Sequence, residues 1–138
     1  MDAEIFNSKE RSRERLNDIS GKIIELAINV HKELGPGMLE KAYEVCLVHE
    51  LITNGFKVES QVVLPIHYQG IVLDTGYRID LMVADSLIVE LKAIDRLLPV
   101  HEAQLLSYLR MSDLRLGLLI NFNNRLLRDG IKRVVNNF

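Results

Sequence analysis

The chain of 138 residues has a mass of 15.8 kDa, which fits one compact domain. Its composition of 48% hydrophobic and 26% charged residues is typical of a globular protein and excludes an intrinsically disordered chain. The formal net charge of −2 excludes a strongly basic coat, and the single cysteine, Cys46, excludes an internal disulfide or a four-cysteine metal site.

The chain has no sequence signal for a membrane or for export. No apolar run is long enough to span a bilayer, and the charged N-terminal segment lacks the apolar stretch of a secretory signal. We therefore expect a cytoplasmic protein without a membrane partner. No linker or repeat divides the chain, so we expect residues 1–17 to form a solvated arm or a frayed helix and residues 18–138 to form a single domain.

Two helices are predicted in the first part of the chain. Asp18 or Ser20 can begin the first helix, because the apolar residues of 23–30 follow a helical spacing. The Gly-Pro-Gly sequence at 35–37 ends this helix, and a second helix is predicted from about Met38 to Asn54.

Strands dominate the second part of the chain. The strands are expected at 58–66, at 71–83 as one or two strands around Gly76, and at 87–93, 116–122 and 131–135. Pro99 begins a helix over about 100–111. The element order α-α-β-β-β-α-β-β predicts an α/β fold of the mixed α+β type, in which helices flank a mixed β-sheet.

Glu90 and Lys92 lie in the strand at 87–93, which is apolar at its other five positions. Apolar residues on both faces indicate a central strand that is covered on both sides. Side chains alternate along a strand, so Glu90 and Lys92 project to the same face. A buried carboxylate is costly unless it is paired or binds a metal. The two residues therefore form either an internal salt bridge or part of a site.

Asp80 lies in the preceding strand of a predicted hairpin whose turn is at 84–86. Pairing near Glu90 would place two carboxylates on one face, where like charges about 4 Å apart repel by roughly 4 kcal/mol at an effective dielectric constant of about 20. A shared proton, the Lys92 ammonium or a hard divalent cation would offset this repulsion. Alternatively, Asp80 caps a turn or forms a salt bridge with Arg78.

Glu40 shares a stripe of the second predicted helix with Tyr43, Leu47 and Leu51. This stripe should face the sheet, which would bring Glu40 toward the carboxylates of the strands. The alternative is an acidic residue that is favoured at this end of the helix by the helix dipole.

The helix after Pro99 carries His101, Gln104 and Tyr108 on one face, next to an apolar side rich in leucine. Three aligned polar side chains suit the wall of a cleft. The alternative is a polar boundary stripe in which Tyr108 reaches from the core to solvent.

Taken in order, these residues resemble a known pattern. Residues 37–43 read G-x-x-E-x-x-Y, and Asp80, Glu90-x-Lys92 and Gln104-x-x-x-Tyr108 read D…E-x-K…Q-x-x-x-Y. From about residue 19 to residue 135 the chain resembles the GxxExxY protein family, a branch of the PD-(D/E)XK nuclease superfamily. One departure is Ile79, which stands where the superfamily's name has proline. The resemblance implies a restriction-endonuclease-like αβββαβ core, in agreement with the predicted element order.

The resemblance also implies roles for the residues. Asp80, Glu90 and the main-chain carbonyl of Leu91 would hold Mg²⁺ or Mn²⁺, and Glu40 would ligate the metal directly or through water. Lys92 would orient the attacking water and stabilise charge on the phosphate. The side chains that would position the site or the nucleic acid are Gln104 and Tyr108.

The resulting hypothesis is a metal-dependent nuclease that acts on DNA or RNA. The alternatives are a non-catalytic nucleic-acid-binding or accessory module of the same fold and an enzyme that acts on a small phosphorylated or otherwise polar substrate. The net charge predicts weak nucleic-acid binding by the chain alone, which a homodimer, a protein partner or a basic region could strengthen. The basic residues of that region are Arg110, Arg115, Arg125, Arg128, Lys132 and Arg133.

Overall fold

The computed structural model describes residues 3–74 and 76–138, so Met1, Asp2 and Thr75 of the predicted elements lie outside the described residues. The helices are α1 (Ala3–Leu34), α2 (Glu40–Thr53) and α3 (Pro99–Ser112). The strands are β1 (Val58–Val63), β2 (Ile66–Tyr68), β3 (Ile71–Leu73), β4 (Arg78–Val83), β5 (Leu87–Lys92), β6 (Leu116–Asn121) and β7 (Ile131–Val135). A short 3₁₀ turn at Leu127–Gly130 precedes β7.

Five strands form a mixed sheet in the order β1-β4-β5-β6-β7. Strands β5 and β6 are parallel and are connected through α3, whereas the other neighbours are antiparallel. This sheet with flanking helices confirms the predicted fold class. Strands β2 and β3 form a separate antiparallel hairpin.

Helices cover both faces of the large sheet. On one face, α1 and α2 pack against a core that includes Leu81, Val89 and Leu118. On the other face, α3 packs against Ile88 and Leu119. All of β6 and the first five residues of β5 are buried, as expected for central strands. In the described ranges 3–74 and 76–138, no helix has the length and apolarity to cross a membrane.

Helix α1 begins much earlier than the sequence predicts. It runs without interruption from Ala3, so the predicted start at Asp18 or Ser20 is wrong. The Ser20 hydroxyl donates to the main-chain oxygen of Asn17 at 3.1 Å, a bond within the helix rather than a cap. Contacts with other parts of the chain stabilise this region of the helix. Leu16 is buried in the core, and Arg13 donates to the main-chain oxygen of Phe138 at 2.7 Å.

One predicted strand is divided in the structure, and a second segment forms two strands, which is one of its two predicted forms. The strand predicted at 58–66 ends at Val63, and Pro65 separates β1 from β2 because proline lacks the N–H that a sheet ladder requires. The segment predicted at 71–83 forms β3 and β4. As a result, β2 and β3 leave the large sheet and form their own hairpin.

Asn121 fixes the segment that follows β5. Its fully buried amide Nδ2 donates to the main-chain oxygen of Ile94 at 2.9 Å, and its Oδ1 accepts from the Ile94 N–H at 3.1 Å. Beside it, the Phe122 N–H donates to the Lys92 main-chain oxygen at 2.8 Å. These bonds join the ends of β5 and β6 immediately after Glu90 and Lys92.

Replacing Asn121 should therefore destabilise the fold. For Asn121→Leu we expect the free energy of unfolding in urea to fall by about 2–4 kcal/mol, because the main-chain groups of Ile94 lose their partners. The control is Asn123→Leu, since the Asn123 side chain forms no hydrogen bond in the described part of the chain. Equal stability of the two variants would contradict this expectation.

Candidate functional site

The candidate site lies where β4 and β5 separate. Their ladder includes Leu81 opposite Val89 and stops there, one residue before Asp80 would stand opposite Glu90. At the next position the Asp80 carboxylate accepts the main-chain N–H of Leu91 at 2.8 Å. The side chain thereby replaces a strand-to-strand hydrogen bond, and the carboxylate is held between the two strands.

Glu90 is buried against Asp80. Only 5% of its surface is exposed, and its Oε1 has no hydrogen-bond partner among the described residues. Burial, followed by hydrogen bonding and charge repulsion from Asp80, raises the pKa of Glu90 to about 10, although Lys92 opposes this shift. The two carboxyl groups are therefore neighbours, and in the absence of a cation Glu90 keeps its proton at neutral pH.

Lys92 approaches these carboxylates without pairing with any of them. Burial raises the pKa of both Glu40 and Glu90, and the positive charge of Lys92 opposes this rise. Within 4.0 Å, however, it forms no ion pair with any described residue. Neither an internal Glu90–Lys92 salt bridge nor an Asp80–Arg78 salt bridge is therefore present in the described chain. The Lys92 ammonium is free to contact a ligand.

Glu40 and Asp80 line one cavity of about 240 Å³. Glu40 is exposed at the start of α2, and partial burial of its carboxylate, followed by repulsion from Asp80, raises its pKa. Tyr43 holds the preceding loop, since its hydroxyl donates to the Gly35 oxygen at 2.5 Å and accepts the Met38 N–H at 3.0 Å. The complete lining of the cavity is Glu40, Lys41, Glu44, Gln61, Asp80 and Leu91.

Three of these lining residues, Lys41, Glu44 and Gln61, were not predicted from the sequence. Glu44 is 4% exposed, and its carboxylate contacts Lys41 at 2.7 Å and Gln61 Nε2 at 2.6 Å. Gln61 Nε2 also lies 3.5 Å from Asp80 Oδ1, and its backbone is left-handed with φ of 54°. The spacing of Glu40 and Glu44, four residues apart on one helix, is a sequence signal for Glu44. No comparable signal exists for the backbone of Gln61.

Gln104 and Tyr108 line a different cavity, of about 470 Å³. The Tyr108 ring packs edge-on against Tyr77 with 6.3 Å between the ring centroids. Burial and then repulsion from Glu90 raise the pKa of Tyr108. The ring packs in the same apolar cluster as Ile88, and Glu90 follows two residues later on the same face of β5. His101 does not belong to either lining, and its Nδ1 accepts the Leu98 N–H at the start of α3.

Comparison with known proteins gives a family for this fold and site. A family model described as the PD-(D/E)XK nuclease superfamily matches residues 17–134, which include all the predicted site residues. The chain belongs to the PD-(D/E)XK nuclease superfamily. No curated protein and no solved structure shows a significant match.

PD-(D/E)XK nucleases generally use divalent metals such as Mg²⁺, and the residues of this chain fit such an ion. The donors are hard carboxylate oxygens, and the buried Oε1 of Glu90 has no hydrogen-bond partner in the part of the chain that the structure describes. Among residues 3–74 and 76–138, no three metal-ligating side chains are already assembled around one point. The fit is therefore to a largely hydrated ion, because Mg²⁺ is commonly held by one or two carboxylates together with water.

The raised pKa of Glu90 predicts how the stability of the metal-free protein changes with pH. Between about 4.5 and about 10, the unfolded chain loses the Glu90 proton while the folded chain keeps it. This difference should lower the free energy of unfolding as pH rises, by up to about 1.4 kcal/mol per pH unit. The comparison is with Glu90→Gln, a neutral residue of similar size. In urea titrations with a chelator, the advantage of the variant should grow with pH, and a constant difference would contradict the buried, protonated carboxyl.

Proposed function

We propose that this PD-(D/E)XK protein is a metal-dependent nuclease that hydrolyses phosphodiester bonds in DNA or RNA. The observation that carries the proposal is the pairing of half-buried Asp80 with buried Glu90 at the separation of β4 and β5, next to a lysine that has no ion pair among the described residues. A non-catalytic module of this fold would have no use for so costly a pair. The order of the Glu40, Asp80, Glu90-x-Lys92 and Gln104-x-x-x-Tyr108 positions supports the GxxExxY branch.

In the proposed site, Asp80, Glu90 and the Leu91 carbonyl hold Mg²⁺ or Mn²⁺, and Glu40 approaches from α2. Such an ion would supply a lower pKa for water and neutralise charge on the phosphate. The chain's own contribution begins with orientation. The Leu91 N–H fixes the Asp80 carboxylate at 2.8 Å, and Tyr43 fixes the loop that leads to Glu40. Because these groups are set before substrate binds, little reorganisation is needed at reaction.

Lys92 provides a positive charge from the protein beside the Asp80 and Glu90 carboxylates. Its ammonium orients the attacking water and donates a hydrogen bond to an oxygen of the phosphate. This contact stabilises the negative charge while the water oxygen bonds to phosphorus and the bond to the leaving ester oxygen breaks. The absence of an ion pair in the described chain supports this role, since a paired ammonium would be less available. Gln104 and Tyr108 position the nucleic acid from the neighbouring cavity.

Lys92 variants test this proposal. We expect Lys92→Arg and Lys92→Ala to fold and to bind Mn²⁺ but to lose cleavage by about 10²–10³-fold, because a planar guanidinium cannot replace a compact ammonium in a confined site. The measurements are thermal melts, calorimetric Mn²⁺ titrations and cleavage of single- and double-stranded DNA and RNA with Mg²⁺ or Mn²⁺.

Two controls make the cleavage experiment decisive. Glu90→Ala from the same purification should be inactive, which excludes a contaminating nuclease. Lys22→Ala should retain full activity, because Lys22 pairs with Glu25 on the surface of α1. Cleavage by Lys92→Arg close to that of the wild type would reject the water-positioning role. Absence of wild-type cleavage on every substrate would favour the accessory module of the same fold.

A cationic cavity beside the loop that leads to α2 supports a nucleic-acid substrate. This cavity of about 510 Å³ is lined by Lys32, Arg125 and Arg128 and by no carboxylate residue. None of the three cations forms an ion pair with a described residue. Gly35 and Pro36 also line the cavity, and Glu40 follows only a few residues later. Phosphates of a bound strand could therefore contact these cations close to the carboxylates.

Removing this charge should weaken nucleic-acid binding in a salt-dependent way. In the Glu90→Gln background, which prevents cleavage, we expect alanine at Lys32, Arg125 and Arg128 to reduce the slope of log affinity against log salt by about 2–3. The measurement is fluorescence anisotropy with a labelled oligonucleotide between low and moderate salt. The matched control replaces Lys9, Lys22 and Lys57, which do not line this cavity. An unchanged slope in the first variant would exclude this path for the phosphates.

A further inference from the structure

The cavity that contains Gln104 and Tyr108 has a composition of its own. It lies between the start of β4, the β2 strand and α3, and its volume of about 470 Å³ falls within the usual range of about 300–1,000 Å³ for small-ligand sites. The lining residues are Ile66, Tyr77, Gln104, Ser107, Tyr108, Arg110 and Met111. The cavity thus combines two aromatic rings, apolar side chains, an amide, a hydroxyl and one cation.

The polar groups of this cavity have no partners within the described chain. The side chains of Gln104, Ser107 and Arg110 form no hydrogen bond or ion pair there. The apolar part is also open, because Tyr77 is 42% exposed and Met111 is 41% exposed. Flat aromatic and apolar surfaces beside free hydrogen-bonding groups are the features that proteins use to stack and read an unpaired base.

The same cavity adjoins the carboxyl pair. Tyr108 forms part of its wall and packs in the same apolar cluster as Ile88, and Glu90 lies two residues further along β5 on the same face. Tyr77 stands three residues before Asp80, and its main-chain oxygen accepts the Leu64 N–H at 2.9 Å, which fixes the chain at that wall. A group bound in this cavity would therefore lie next to the phosphate that the carboxylates and Lys92 address.

We propose that this cavity binds the base of an unpaired nucleotide adjacent to the cleaved phosphodiester bond. Tyr77 and Met111 contact the faces of the base, and Arg110 contacts the neighbouring phosphate. The inference rests on the proposed nuclease function and adds a substrate class, a single strand or a duplex with an unpaired end. Paired bases cannot enter, because they are stacked in the helix and would first have to flip out.

Binding of octanucleotides tests the inference without cleavage. In the Glu90→Gln background, the probes are a single-stranded DNA octamer, the corresponding RNA and an abasic sugar-phosphate octamer of equal charge. We expect Tyr77→Ala to weaken binding of the two base-containing octamers by about 5–100-fold and to leave the abasic octamer unchanged. Tyr68→Ala is the matched control, because Tyr68 is also exposed and belongs to the same strand as Ile66 but does not line the cavity.

Three further variants make the test independent of a folding defect in any one of them. Arg110→Ala should weaken all three octamers alike, whereas Arg11→Ala on α1 should weaken none. Met111→Ser, a neutral change at an exposed position, should reproduce the base-specific loss if Tyr77→Ala does not fold. Equal losses for base-containing and abasic octamers with Tyr77→Ala or Met111→Ser would overturn the base site.

Cleavage by the wild type separates this inference from the proposed function. If the wild type cleaves nucleic acid but Tyr77→Ala binds all octamers normally, the base site is wrong and the nuclease stands. If binding depends on the bases but the wild type cleaves no nucleic acid with Mg²⁺ or Mn²⁺, the base site stands and the nuclease is wrong.

Discussion

The hydrogen bond from the Leu91 N–H to the Asp80 carboxylate is the contact on which the site depends. It ends the β4–β5 ladder and keeps a charged group between two strands of a sheet that is otherwise paired. A main-chain carbonyl at that position would continue the sheet and close the gap. The carboxylate instead leaves space that Glu90 enters from the neighbouring strand, where burial favours its neutral form. The Glu90 carboxyl that we propose as a metal ligand is therefore also a group whose burial lowers the stability of the folded chain.

A second set of contacts brings α2 to that gap. The Tyr43 ring stacks on Phe122 with 4.4 Å between centroids, and its hydroxyl bridges Gly35 and Met38. Phe122 directly follows β6 and donates a hydrogen bond to the main chain of Lys92. The Tyr43–Phe122 stack therefore fixes the loop before α2 relative to the end of β5. The position of Glu40 is thus determined by core packing rather than by its own exposed side chain.

The sequence was sufficient for the features that depend on neighbouring residues along the chain or across a hairpin. The apolar residues around Glu90 predicted a central strand, and the short turn predicted that Asp80 would be near it. The sequence was insufficient to predict the features that depend on contacts among three elements. The left-handed backbone of Gln61 is set by contacts with α2 and β4 together. Helical periodicity placed Gln104 and Tyr108 on one face, but it does not specify which cavity that face lines.

Helix α1 has a consequence for how this chain folds. Its first turns bond to residues far along the sequence, since Arg115 donates to Ser12 and Arg13 donates to the last residue, Phe138. Contacts between such distant positions close large loops, which is entropically unfavourable and slows folding. During synthesis the part of α1 around Ser12 and Arg13 can form these bonds only after Arg115 and Phe138 have been added. Until then, the apolar side of α1 that begins at Leu16 is available to chaperones or to other chains.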